Sequence, residues 1–273
     1  RQTFLGRDVA LDASATGAGD GGEVVVWSEE TTQMHGRIAS RGGPEGGDGG
    51  FVETSARETL RATGGADVSA PAGRGGAWLL DPGDLAIVAA ASGGLPEIEA
   101  GTILGPPFDL DVTGDSEVEV GTLYNALLGN PTGEVPMGTG SGAGDVTVTI
   151  LTGASTIDWR PGADLDFNGV GTGRLVLDGG LVRLGANVLD GTPGADALTL
   201  EIPGDAEVTG TALTLDADLE VAGALSVLDG VVVALNAPFT LAGGVLDLGT
   251  GSELVTSDRF DFPSGTIRGT GAA

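Results

Sequence analysis

The sequence predicts an all-β chain wound as a parallel β-helix, a β-solenoid with three short strands per coil. Three observations lead there. From about Leu175 onward, apolar and polar residues alternate in runs of roughly three to five, separated by Gly, Asp, Asn or Pro. Two-residue hairpin turns of the Asn-Gly kind are scarce between those runs. The core must also be built from small side chains: aromatics are 4% of the 273 residues, there are 51 glycines, and Val, Leu, Ile and Ala supply most of the 40% hydrophobic fraction. Layers of repeated aliphatics fit a stack of coils better than a globule organised around large side chains.

The runs are Leu175–Leu177, Leu181–Leu184, Val188–Leu189, Leu198–Ile202, Leu213–Leu215, Leu219–Val221, Leu225–Val227, Val231–Val233, Phe239–Leu241, Val245–Leu248 and Leu254–Val255. Strands this short do not make a stable ordinary sheet. Three of them with three corners occupy roughly 20 residues, the size of one solenoid coil, in which each strand pairs in parallel with its equivalent one coil later. The inward residues then stack on their own kind, so Leu200, Leu215 and Val233 are expected inside, with Thr, Asp, Glu and Arg outside. About a dozen such coils at roughly 4.8 Å each give a rod on the order of 60 Å long. The middle of the chain breaks the rhythm. Residues 129–144 (GNPTGEVPMGTGSGAG) are nearly all turn formers, and Gly121 to Leu128 has the pattern of one or two helical turns. Residues 105–145 are therefore expected as a loop and helix elaboration on the side of a single β-helix spanning 1–273.

Composition excludes several function classes. A net charge of −27, with 12 arginines and no lysine, repels nucleic acid and anionic membrane surfaces. The chain has no cysteine for disulfides or thiolate metal sites. Its glycine clusters are not followed by Gly-Lys-Ser/Thr, so a phosphate loop is not expected. No apolar run reaches the length of a membrane span, and no charged-then-apolar signal opens the chain at Arg1. The alternation continues to Gly271 with no capping element, so the chain is expected to be a piece of a longer one that continues past Ala273.

Several spaced motifs stand in the first third: Gly22-Glu23-Val24-Val25-Val26-Trp27-Ser28, Thr32, Gly36-Arg37-Ile38, Arg41-Gly42-Gly43, then Gly46-Gly47-Asp48-Gly49-Gly50-Phe51-Val52-Glu53-Thr54-Ser55, and Gly76-Ala77-Trp78-Leu79-Leu80-Asp81-Pro82 followed by Leu85 to Val88. This run, over roughly residues 20–90, resembles the filamentous haemagglutinin-like large exoproteins secreted by the two-partner route. The resemblance implies a right-handed parallel β-helix, export with an outer-membrane secretion partner, an extracellular or bacterial cell-surface location, and a role in adhesion or cell–cell contact. The same residues have a physical reading of their own. The GGDGG glycines permit close backbone approach at a coil corner, Asp81-Pro82 ends a strand because Pro cannot donate to the ladder, and Trp78 is expected to cover an apolar edge where the coil turns.

Chemistry was sought in the same residues. His35 is the only histidine, which excludes a triad or a multi-histidine metal site, and its position between Met34 and Gly36 points to a surface or turn position rather than a catalytic one. Acid pairs at i, i+2 are Asp109/Asp111, Asp164/Asp166 and Asp216/Asp218; each pair leaves one face of a strand, and Arg160 is the basic residue nearest in sequence to any of them. A β-helical polysaccharide lyase or hydrolase is thus the alternative to a non-enzymatic shaft. GGPEGGDGG only partly matches the nonapeptide calcium repeat, so no metal, cofactor or catalytic residue is assigned. The expectation is a structural shaft or binding segment of a secreted, cell-surface adhesin-like filament. Its receptor on a host, a neighbouring cell or a polysaccharide is unnamed, and self-association into filaments is compatible with such a rod.

Overall fold

In each coil the chain visits three faces in the same order, and alternate residues on every face turn inward. The computed structural model describes residues 1–89, 116–127, 146–167, 173–189 and 198–270. Every strand pairing among them is parallel. The protein is a parallel β-helix. Face I is an eleven-stranded sheet that starts with Gln2–Leu5, Thr31–Met34 and Thr59–Ala62 and ends with Gly265–Gly269. Face II holds a three-stranded sheet (Ala10–Asp12, Arg37–Ala39, Gly65–Asp67) and a five-stranded one from Leu165–Asp166 to Glu253–Thr256. Face III is a nine-stranded sheet from Glu23–Ser28 to Phe260–Asp261.

The core is a set of inward columns. On face III one column runs Val24, Val52, Trp78, Val148, Leu175, Leu200, Leu219, Phe239 and Phe260, each paired with the next. The last two rings stack, with centroids 4.9 Å apart and planes within 2°. Leu200, Leu215 and Val233 are all buried, as the alternation requires. Trp78 is also inside at 0% exposure, where its Nε1–H donates to Thr54 Oγ1 at 3.1 Å; it fills the core and does not cover an edge. The buried N–H finds a hydroxyl on the neighbouring coil, and this lets the indole go in.

Coil length is not uniform. In the C-terminal part Thr199 pairs with Asp218, 19 residues on, and Phe239 with Phe260, 21 on, so the expected period of about 20 holds there. In the first coils Gln2 pairs with Thr31, 29 on, and Phe51 with Ala77, 26 on. The additional residues lie in glycine-rich corners between faces II and III. Face III accordingly counts nine strands, and the eleven layers of face I give a rod of about 50 Å at 4.8 Å per layer, shorter than the dozen-coil expectation.

The chain order inverts once. Glu117–Glu119 inserts between Thr59–Ala62 and Leu85–Val88, although it follows both in sequence. The helix Val120–Leu127 comes next and touches the face II strands 65–67 and 165–166 as well as Thr147–Leu151. Thr122, Leu123, Ala126 and Leu127 are buried at i, i+1, i+4 and i+5, one face of a helix. A helix is about 10 Å thick, close to two strand spacings. At this level face I has two strands (117–119 and 85–88), where face III has only Thr147–Leu151 between its neighbours. The described part of the 105–145 stretch is thus built into the wall of the rod and is not an addition to its side. The remainder of that stretch, including 129–144, lies outside the described residues.

Candidate functional site

Outward columns carry the polar chemistry. On face I, Phe4, Gln33, Arg61, Glu117, Ala86, Asp158, Arg183, Glu207, Ser226, Asp247 and Arg268 lie in one register. From Asp158 onward this is an exposed charged ladder; Arg268 Nε, for example, donates to Asp247 Oδ2 at 3.0 Å. Exposed pairs of this kind contribute little each.

The upper part of the same column differs, because its outward side chains are buried. Gln33, Arg61 and Glu117 are nearly inaccessible, and Glu117 lies between Arg61 (Nη2 to Oε2, 3.7 Å) and Arg160 (Nη1 to Oε1, 3.4 Å). Arg160 Nε also faces Asp158 Oδ2 at 3.6 Å. His35 joins them at 6% exposure, so it is a buried corner residue and not a surface one. Its Nε2 lies 3.1 Å from Gln33 Oε1 and its Nδ1 2.6 Å from Thr63 Oγ1, with Phe4 at 5.6 Å between ring centroids. An amide oxygen only accepts, so Nε2–H donates to Gln33 and Nδ1 accepts from the Thr63 hydroxyl. That pairing suits a neutral ring. Burial, reinforced by the charges of Arg7 and Arg61, lowers the His35 pKa to about 4.

One member of each described acid pair bonds across to the next coil. Asp164 Oδ1 accepts from the backbone N–H of Asn187 at 2.8 Å and from its Nδ2 at 3.1 Å, and Asn187 Oδ1 in turn accepts Thr214 N–H at 2.9 Å. Asp216 Oδ1 accepts Asn236 Nδ2 at 2.9 Å. Asp218 is half-buried; desolvation, then Glu220 and Asp258, raise its pKa. The arginine expected to serve Asp164/Asp166 makes its described ion pairs with Glu117 and Asp158. Asp109/Asp111 lies outside the described residues. Among the described residues no group of three or more His, Cys, Asp or Glu could hold a metal ion.

Two further features adjoin each other near face III. A groove of about 820 Å³ runs along the corner where the first coils enter that face, lined by Asp20, Asp48, Arg74 and the glycine pairs 21–22, 49–50 and 75–76. Asp48 accepts the Arg74 backbone N–H (2.9 Å) and its guanidinium (Nη2, 3.0 Å), while its own N–H donates to Asp20 (2.8 Å). Hydrogen bonding to Arg74 holds Asp48 below the usual carboxylate range. Next to this groove are the outward positions of strands Glu23–Ser28, Phe51–Ala56 and Ala77–Asp81. In register these are Glu23, Phe51 and Ala77, then Val25, Glu53 and Leu79, then Trp27, Ser55 and Asp81. Trp27 is 55% and Val25 51% exposed.

The buried cluster escaped the sequence reading because strict alternation places Gln33 and Arg61 on a wet face. The strand TTQM is instead buried on both sides. A 28-residue offset, which brings Gln33 opposite Arg61, would have been the usable signal. No family model matches the chain, and no curated protein matches it.

Proposed function

We propose that the chain is a structural shaft or binding segment of a secreted, cell-surface adhesin-like filament. The observation that carries this reading is the all-parallel stack of coils around a mainly aliphatic interior, with face II interrupted only where the helix Val120–Leu127 stands between its two sheets. Such a stack is a stiff spacer, because each coil is tied to the next by ladder hydrogen bonds on three sides. The motif run over residues 20–90 supports export with an outer-membrane partner and a location outside the cell. The carboxylates support the same role: Asp48, Asp164, Asp205 and Asp229 accept backbone N–H groups of the next coil, and so stitch corners together.

Fractionating the producing cells with an antibody against this chain tests the reading. The protein should appear on the surface or in the medium, and its release should stop when the outer-membrane partner gene is deleted. Recovery only from the cytoplasm would overturn it. Polysaccharide cleavage remains the second reading because Glu117 meets two arginines, the combination a lyase uses. Both Glu117 and Arg61 are buried from a polymer, however, and product release from acidic polysaccharides incubated with the purified chain would decide it.

A further inference from the structure

Of the three tryptophans, Trp78 and Trp159 are buried, and each indole N–H is bonded inside the rod, to Thr54 Oγ1 and to the Ala163 carbonyl. Trp27 is the exception. It stands on the outward side of face III, more than half exposed, with Val25 beside it two residues earlier and the half-buried Phe51 on the next strand, in the column beyond Val25. A soluble surface rarely leaves a large aromatic and its apolar neighbours open without a use, and Trp is the residue most enriched at the energetic centres of interfaces.

The charges around it have one sign. Glu23, Glu53 and Asp81 are the ionisable outward residues of these three strands, and no arginine is among those positions. The arginines at the adjoining corners are paired, Arg57 with Glu29 and Arg74 with Asp48. Asp81 titrates above the ordinary carboxylate range because it is partly desolvated and because Glu53 lies near it. Two carboxylates held close, with no counter-charge paired to them among the described residues, beside an open indole face are complementary to a cation that also carries apolar surface.

We propose that the outward patch of Trp27, Val25 and Phe51 with Glu23, Glu53 and Asp81 docks a cationic, partly apolar polypeptide segment. An arginine or lysine of the partner lies over the indole, its charge faces Glu53 and Asp81, and neighbouring apolar side chains cover Val25 and Phe51. The patch belongs to the outer side of the strands, and Glu23–Ser28, which carries Trp27 and Val25, is the terminal strand of the face III sheet. This goes beyond the filament role, and because binding is read on the isolated chain in solution, a negative result leaves that role standing.

The test is a titration with a twelve-residue peptide of alternating arginine and leucine, followed by tryptophan emission, in which the water-facing Trp27 supplies the solvent-sensitive signal. A saturable shift is expected, and Trp27→Ala should weaken binding, measured by calorimetry, about tenfold. Glu53→Gln and Asp81→Asn should each weaken it and flatten its salt dependence. Glu253→Gln, at an exposed site far along the rod, should leave it unchanged. The matching glutamate–leucine peptide should not bind. Thermal melts should show Trp27→Ala as stable as the parent, since the side chain is outside the core. Equal affinity of the parent and Trp27→Ala, or equal losses from Glu253→Gln and Glu53→Gln, would mean that the peptide merely adsorbs to an acidic rod, and the proposal falls. It falls equally if the peptide does not bind, or if a neutral oligosaccharide shifts Trp27 emission and the peptide does not.

Discussion

The first three coils and the last three solve the same stacking problem with different chemistry. The C-terminal coils repeat every 19 to 21 residues with almost pure Leu and Val interiors. The N-terminal coils take 26 to 29 residues and carry hydroxyls inside: Ser28 and Thr32 bond each other at 2.8 Å, and Thr32 also donates to the Ser55 carbonyl at 2.8 Å. Their corners are glycine backbones in near contact, and their face I is buried on both sides over Thr31–Met34. The short coils are held by apolar burial, which tolerates exchange among aliphatics. The long coils depend on close backbone approach and on buried polar contacts such as Ser28–Thr32, which do not.

The largest effect expected from breaking this contrast is at the aliphatic end. Leu215→Asp places an unpaired charge among stacked Leu and Val, and should cost about 5 kcal/mol or more. Denaturant unfolding would show it, and a loss under about 1 kcal/mol would contradict the inward assignment. The glycines give the next effect and separate close backbone approach from left-handed strain. A Cβ on Gly76 would sit 2.0 Å from the Gly50 carbonyl oxygen, whereas one on Gly230, at φ 73°, meets nothing. Gly76→Ala should therefore destabilise by about 3 kcal/mol through backbone displacement, and Gly230→Ala by about 1 kcal/mol through left-handed strain alone. Equal losses would mean that backbone approach at Gly76 costs no more than left-handed strain at Gly230.

Acidification should act on the N-terminal coils through His35. Its folded pKa of about 4 lies below the unfolded value of 6.5, so the unfolded chain takes the proton first. The stability from a neutral His35 is full above pH 6.5, falls as the pH drops from 6.5 to 4, and changes no further below that. The loss is on the order of 3 kcal/mol. His35→Gln should flatten this window in a pH series of melts. Asp81 and Asp218 work in the opposite sense, since their raised pKa values let the folded chain gain a proton and shed repulsion as pH falls. The smallest effect is that of salt. With 39 acids against 12 arginines, many carboxylates lie within a Debye length, roughly 8 Å at physiological ionic strength, so the melting temperature should rise with sodium chloride. Calcium should be more effective at equal ionic strength. A flat response to both ions would show that surface charge serves solubility alone.

How far the sequence could be read follows the same division. Strands Leu181–Leu184, Leu225–Val227 and Phe239–Leu241 stand where alternation put them, because in a minimal coil almost every residue is either inward core or outward polar. Ala206–Val208 escaped notice: with Ala and Glu before a single Val, it has little apolar signal, and its partners on both sides pull it into the sheet. Trp78, expected at an apolar edge where the coil turns, is inside because the hydroxyl of Thr54 on the adjacent coil satisfies its N–H, a contact that local pattern does not encode.

By itself the sequence determined the repeat of the C-terminal coils, their inward aliphatic columns, the acidic exterior and the glycine corners, since these follow from local alternation and backbone sterics. The tertiary structure alone decided the rest. The insertion of Glu117–Glu119 between earlier strands, the seating of Val120–Leu127 in a strand's place, and the meeting of His35, Arg61 and Glu117 all join residues far apart in sequence. Which of them meet is set by the thickness of a helix relative to a strand and by the burial of both sides of one sheet, neither of which local pattern encodes.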